Sequence, residues 1–194
     1  MKDLSISLLT VCGLSELEQH GSRGVTHVLS ILDPEWPEPD GFRAYDRHHR
    51  TTLHFDDAIE PGTGILLPQP AHMEQVLEFG RRLATEASAA DGHLLVHCHM
   101  GISRSTAAMA TLLAQLHPQE NEDVIFAHLL AIRPQIWPNS RMIAFADQML
   151  GRSGRMSAAL TRLYARQLEL RPDYARQMVA LGRGREVEMG RNPR

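Results

Sequence analysis

The chain has 194 residues, 43% hydrophobic and 22% charged, with a formal net charge of −3; this length fits one core with an appendage at most, and no run approaches the roughly 18 apolar residues that cross a bilayer. Two cysteines, Cys12 and Cys98, are too few for a disulfide framework and lack the paired spacing of a zinc knuckle, so both are read as reduced. The N-terminal stretch has no long apolar core ahead of a small-residue cleavage site, so no signal peptide is read and a cytoplasmic setting is expected. Residues 1–150 hold 10 Lys+Arg against 19 Asp+Glu, and residues 151–194 hold 10 against 4, an acidic body with a basic tail.

In chain order, "LSISLLTVCG" reads as a strand, "LSELEQHG" as a short helix with Ser15 available as its cap, and "GVTHVLSIL" as a buried strand. "DPEWPEPDG" is a proline-rich surface loop and "FRAYDRHHR" has no clear pattern. In "TTLHFDD" the period-2 alternation of Leu53 and Phe55 places Asp56 and Asp57 at a strand end, before a long loop with prolines at 61, 68 and 70. "MEQVLEFGRRLATEASAA" has helical spacing, "DG" turns the chain, and "HLLVHC" is a buried strand. "SRSTAAMATLLAQL", "ENEDVIFAHLLAIRP" and "NSRMIAFADQMLG" are helices, the last with Asn139 or Ser140 as cap. Beyond Gly151, Leu160, Leu163, Tyr164 and Leu168 share one helical face, and a second helix follows Pro172. The last dozen residues offer few apolar anchors and are expected to be disordered. Strands interleaved with helices predict an α/β sandwich of four or five strands flanked by helices, with residues 1–150 as the main domain and 151–194 as a basic helical extension.

A strand, a glycine-containing loop and a helix present backbone N–H groups and the positive end of a helix dipole to an anion. In "HCHMGISRS" the loop starts with Cys98 and ends with Arg104. A thiol placed there is favoured as thiolate by the amides and the dipole. Arg104 offers a planar fork for two phosphoryl oxygens. Gly101 allows a tight curl, and the Ser105 hydroxyl can donate to the sulfur.

This loop resembles the His-Cys-x5-Arg-Ser signature of the cysteine-dependent protein tyrosine phosphatase superfamily, in a dual-specificity-like, bacterial-type form. "GVTHVLSIL", "LHFDD" and "IRPQIWPNSRMIAFADQML" are similar to further segments of the dual-specificity branch, covering residues 5–150 and leaving out 151–194. The resemblance implies a protein tyrosine or dual-specificity phosphatase. Cys98 would form a phosphocysteine, and His99, Met100, Gly101, Ile102, Ser103 and Arg104 would cradle the phosphoryl group. Ser105 would assist thiolate release, His97 would tune the cysteine, and an aspartate would act as general acid. Asp57 fits the family's alternation better than Asp56. Its interval of 41 residues to Cys98 exceeds the family's usual spacing, which the long loop would absorb. "EWPEPD" mimics the Trp-Pro-Asp loop of tyrosine-specific members but lies too far upstream, and is read as a surface turn. No metal or other cofactor is implied.

Other readings stand beside this one. Cys98 as a core thiol is opposed by the arginine at +6; a metal site at His93, His97 and His99 lacks a carboxylate or second cysteine. Asp56 and Asp57 as turn residues remain open. In members of the resembled superfamily that act on highly charged phosphoinositides or RNA 5′ ends this loop tends to carry lysines or extra arginines; here it carries none, so the resemblance implies a phosphorylated protein side chain, tyrosine first. A small phosphomonoester or inositol phosphatase, and a non-catalytic phosphate-binding module, are the alternatives. Neither a nucleic acid nor a membrane is an expected partner, and the oligomeric state is not legible.

Overall fold

Four apolar runs form the strands β1 (Ile6–Cys12), β2 (His27–Leu32), β3 (His49–His54) and β4 (Gly92–His97). In the computed structural model, which describes residues 6–86 and 92–193, they make one parallel sheet in the order β1-β4-β2-β3. The helices are α1 (Pro70–Glu86), α2 (Arg104–Leu116), α3 (Glu122–Ile132), α4 (Ser140–Met149), α5 (Arg155–Leu170), α6 (Asp173–Ala180) and α7 (Gly184–Arg191). The turn expected at Asp91 and the first residues of the N-terminal run lie outside the described residues. Among the described residues no helix is long and apolar enough to cross a membrane.

The period of two along β2 and β4 sorts their side chains onto two faces. Leu29, Ile31, Leu94 and Val96 join the larger apolar cluster, to which all seven helices contribute. Val28 and Leu95 face a smaller one, closed by Leu17 and Phe42. These two residues belong to the 3-10 helices Leu14–His20 and Asp40–Ala44, so the second face is covered by short 3-10 turns. The patternless "FRAYDRHHR" supplies the end of the second turn and the start of β3. Ser15 does not cap the first: the helix begins at Leu14, and the Gly13 amide donates to the Glu16 carboxylate at 2.6 Å. Asn139 caps α4, its side chain accepting from the Met142 amide at 3.2 Å.

Because the sheet is parallel, all its strands end at one edge, where ligands of such sheets bind. The loop after β4 abuts the end of β1 so closely that a Cβ on Gly101 would lie 2.4 Å from the Cys12 carbonyl carbon and 2.6 Å from the Gly13 nitrogen. Gly101 also has φ +67°, which a side chain disfavours.

The expectation of a disordered last dozen residues is corrected by α7. Val187 and Glu186 are fully buried, and Gly190 sits against Tyr164 where a Cβ would come within 2.9 Å. The missing signal was polar. The Glu186 carboxylate accepts from the Trp137 indole at 2.6 Å, the Ser140 amide at 2.7 Å and Arg183 at 2.8 Å. From α5, the Tyr164 hydroxyl donates to the Pro138 carbonyl, and the Gln167 amide donates to the carbonyls of Pro134 and Ile136 at 2.9 and 2.8 Å. The extension thereby grips residues 134–138, which run along the loop 98–104.

Two stability effects are expected. Glu186→Ala leaves the buried Arg183 cation short of a partner and should lower the unfolding free energy by about 3–5 kcal/mol, whereas Glu188→Ala, on the exposed face of α7, should cost less than about 1 kcal/mol; equal effects in urea denaturation would contradict the packing of α7. Gly101→Ala should cost about 1–3 kcal/mol from its backbone conformation alone, read as a fall in Tm, and an unchanged Tm would contradict the close approach to β1.

Candidate active site

Residues 99–103 are turned so that their carbonyls point outward to donors. The His99 carbonyl accepts from the Leu14 amide at 2.9 Å, and the Ile102 carbonyl from the Trp137 amide at 2.8 Å. The Ser103 carbonyl accepts from the amides of Ala107 at 2.9 Å and Asn139 at 3.4 Å. Arg133 takes the two at the bend, Nε donating to Gly101 at 3.2 Å and Nη2 to Met100 at 3.1 Å, while its Nη1 is held by Glu16 at 2.7 Å. Among the described residues no amide N–H of residues 99–103 donates to a protein acceptor. Carbonyls outside and amides inside make an anion cradle at the N-terminus of α2.

Cys98 follows the last residue of β4, with its sulfur 3.1 Å from the Ser105 hydroxyl. It is buried, yet it lines a cavity of about 490 Å³ together with Asp57, Ser103 and Arg104. His97 is buried against the Ser30 hydroxyl at 2.6 Å, and burial pushes its pKa down to about 4, so it is neutral at physiological pH. Cys12, at the end of β1, is pushed up by burial to about 12 and stays a thiol. The three histidines considered for a metal go to separate partners: His93 to Thr10 at 2.8 Å, His97 to Ser30, and His99 to the aromatic ring of Trp36 at 4.4 Å between centroids. Among the described residues no three His, Cys, Asp or Glu side chains gather as a metal site.

Arg104 is buried beneath the loop. Its Nη1 donates to Asp33 at 2.7 Å and to the Phe55 carbonyl at 2.6 Å, and its buried Nε has no partner among the described residues. Asp33 follows the end of β2, and Phe55 the end of β3. The guanidinium is thus fixed from one side with donors left over.

The two candidate aspartates are held differently. Asp56 clasps the long loop: its carboxylate accepts from the Leu66 amide at 2.7 Å, and its own amide donates to the Leu66 carbonyl at 2.8 Å. Asp57 instead turns to the cradle. Its Oδ1 accepts from the Ser103 hydroxyl at 2.7 Å, the Asn139 side chain at 3.0 Å and Arg183 at 2.9 Å. Burial alone would raise its pKa, but the charges of Arg183 and Arg104, with the bonds from Ser103 and Asn139, hold it below the ordinary carboxylate value.

Cys98, Arg104, Asp57 and all of residues 99, 100, 102 and 103 line one cavity, with Gly101 at the loop's bend and Ser105 beneath the sulfur. Sequence reasoning missed Asp33, Asn139 as a partner of Asp57, Arg133 and Arg183. The "RP" of "IRPQIWPN" was a signal for Arg133; Arg183 left none. The set-aside "EWPEPD" loop lies beside the site, since Trp36 packs on His99.

A family model described as protein-tyrosine phosphatase matches residues 67–149. The dual specificity protein phosphatase MPK-4 of Drosophila melanogaster is 26% identical over 144 residues, which cover 73% of this chain and 33% of that protein; the chain therefore spans about a third of the length of this curated relative. Among solved structures, the human tyrosine phosphatase-like serine/threonine/tyrosine-interacting protein matches with a TM-score of 0.56 at 19% identity, covering 77% of this chain and 95% of that one. Human DUSP28 matches with a TM-score of 0.54 at 20% identity, covering 78% and 94%. With a cysteine, an arginine six residues on and an amide cradle between them on this fold, the chain is similar to the cysteine-dependent protein tyrosine phosphatases, and among them to the dual-specificity branch.

Proposed function

We propose that the protein is a phosphomonoester hydrolase of the protein tyrosine or dual-specificity type, working through a phosphocysteine intermediate without a metal, in the reducing cytoplasm. The observation that carries this reading is the inside-out loop: the carbonyls of residues 99–103 all have donors outside the cradle, while among the described residues their amides have no protein acceptor. A tetrahedral dianion fits those amides and the spare donors of Arg104.

In this reading the Cys98 sulfur attacks phosphorus opposite the leaving oxygen. The S–P bond forms as the P–O bond to the alcohol breaks, and the departing oxygen takes the Asp57 proton. Water then attacks phosphorus, its proton passes to the Asp57 carboxylate, and the sulfur leaves as thiolate with the Ser105 hydroxyl donating to it. Asp57 is depressed in the free protein, but a phosphoryl dianion in the cradle is a like charge beside it and favours its protonated form.

The cavity also bears on substrate class. Apart from Arg104 and Arg183, each of which donates to carboxylates, its charged lining is Asp33, Asp56 and Asp57, while Ile65, Met100 and Leu181 are exposed apolar groups at the cavity wall. An aryl phosphate suits such a mouth; an inositol polyphosphate would meet carboxylates. The reading therefore favours phosphotyrosine on proteins.

Two experiments test it. Purified protein should hydrolyse phosphotyrosine peptides and simple aryl phosphates in the presence of EDTA, faster than phosphoserine peptides or inositol phosphates. Cys98→Ser should fall to the buffer background. Binding of these ligands without turnover would identify a non-catalytic phosphate-binding module instead, and a preference for inositol phosphates would move the substrate class. Second, Asp57→Asn should lower kcat for phenyl phosphate by about 10²–10⁴-fold and affect nitrophenyl phosphate, whose leaving group needs no proton, much less. Asp56→Asn should behave like wild type in that ratio; the reverse pattern would transfer the acid role to Asp56.

A further inference from the structure

The C-terminal extension lies outside the family-matched segment, yet one of its side chains reaches the reaction centre. Arg183 begins the turn into α7 and is only 3% exposed. Its Nη2 donates to Glu186 at 2.8 Å, while its Nη1 donates to Asp57 Oδ1 at 2.9 Å and to the Ser103 hydroxyl at 3.0 Å. Glu186 alone would neutralise this cation. The other arm spans 126 residues of sequence to bind the carboxylate beside the phosphate loop, and among the described residues the buried Nε has no partner. Buried donors are nearly always satisfied, so an orphaned Nε marks a side chain whose placement is governed by its other contacts.

We propose that Arg183 is a positioning residue for phosphoryl transfer: it clasps Oδ1 of Asp57 together with the Ser103 hydroxyl, fixing the carboxyl against the cradle and leaving Oδ2 to carry the proton. The inference rests on the reading of Asp57 as the general acid. All three donors to the Asp57 side chain fall on Oδ1, and among the described residues Oδ2 takes no hydrogen bond. The charged and titratable groups around Asp57 are Arg183 and Glu186 from the turn into α7, Tyr164 from α5, Tyr174 from α6, Cys98 after β4, Arg104 and His99 from the phosphate loop, Asp33 after β2, and its neighbour Asp56. Arg183 is the cation in direct contact with the carboxylate, so its removal raises the pH at which Asp57 loses its proton. It also frees the carboxyl to rotate about its remaining two donors.

The test combines a titration with a leaving-group comparison on the full chain. With ¹³C-carboxyl aspartate incorporated, the resonance absent from Asp57→Asn reports Asp57 directly. In Arg183→Gln it should titrate about one pH unit or more higher, and the rate ratio of nitrophenyl to phenyl phosphate should widen by about tenfold or more, toward that of Asp57→Asn. Arg183→Lys keeps the charge but not the fork, so its titration should stay near wild type while the ratio still widens. If folded Arg183→Gln keeps both the wild-type titration and the wild-type ratio, the inference is wrong. Should Arg183→Gln fail to fold, Arg183→Lys carries the test, and wild-type values of its ratio overturn the positioning role. If Asp57→Asn itself leaves the ratio unchanged, the general-acid reading fails first and the role of Arg183 in the reaction falls with it, even where the titration moves.

Discussion

The loop after β4 can point its amides inward only because every carbonyl from 99 to 103 has a donor outside. A peptide plane turned to present its N–H to the cradle sends its C=O the other way, and a buried carbonyl left unpaired costs about 1–3 kcal/mol. The donors come from well-separated parts of the chain: the Leu14 amide after β1, the Arg133 guanidinium after α3, and the amides of Trp137 and Asn139 before α4. Arg133 is held in turn by Glu16, and residues 134–138 by Tyr164, Gln167 and Glu186. Much of the fold outside the sheet can be understood as the apparatus that keeps this one turn inside out.

The same edge of the sheet organises the charges. Each parallel strand ends in a part of the site: β1 in the backbone against which Gly101 packs, β4 in Cys98, β2 in Asp33, and β3 in Phe55 to Asp57. Two buried arginines would be costly alone, and each is paired with a carboxylate at that edge, Arg104 with Asp33 and Arg183 with Asp57 and Glu186. The pairing leaves Arg104 oriented from behind, so that it presents its remaining donors to the cradle without having to reorganise when an anion arrives.

What could be read from the sequence follows from the range of the interactions. The Cys98-to-Arg104 loop was legible because its chemistry is contained in consecutive residues, with the strand before it and the helix after it marked by their apolar runs. Asp57 was reachable from the period-2 pattern of Leu53 and Phe55. Asp33 and Arg183 were not, because their partners lie 71 and 126 positions away. No local pattern encodes such a contact. The error over the last dozen residues has a related cause: counting apolar anchors overlooks a segment fastened by a buried carboxylate and by a glycine, Gly190, that lets one helix approach another.

The extension also explains why the acidic body and basic tail of the sequence do not form two separate units. Arg152 is buried against Glu122 at 2.9 Å and donates to the carbonyls of Ala114 and His117 at the end of α2. Arg162 pairs with Asp123 on α3 at 2.8 Å, and Arg183 with Asp57. Three arginines of the tail, Arg152, Arg162 and Arg183, therefore meet carboxylates of the body, the first beside the C-terminal end of α2 and the last beside the cradle at its N-terminus. Exposed pairs such as Arg162–Asp123 add little stability. The buried ones instead penalise any packing of α5 to α7 that would strand a cation away from its carboxylate, and so they select the arrangement in which Arg183 reaches Asp57.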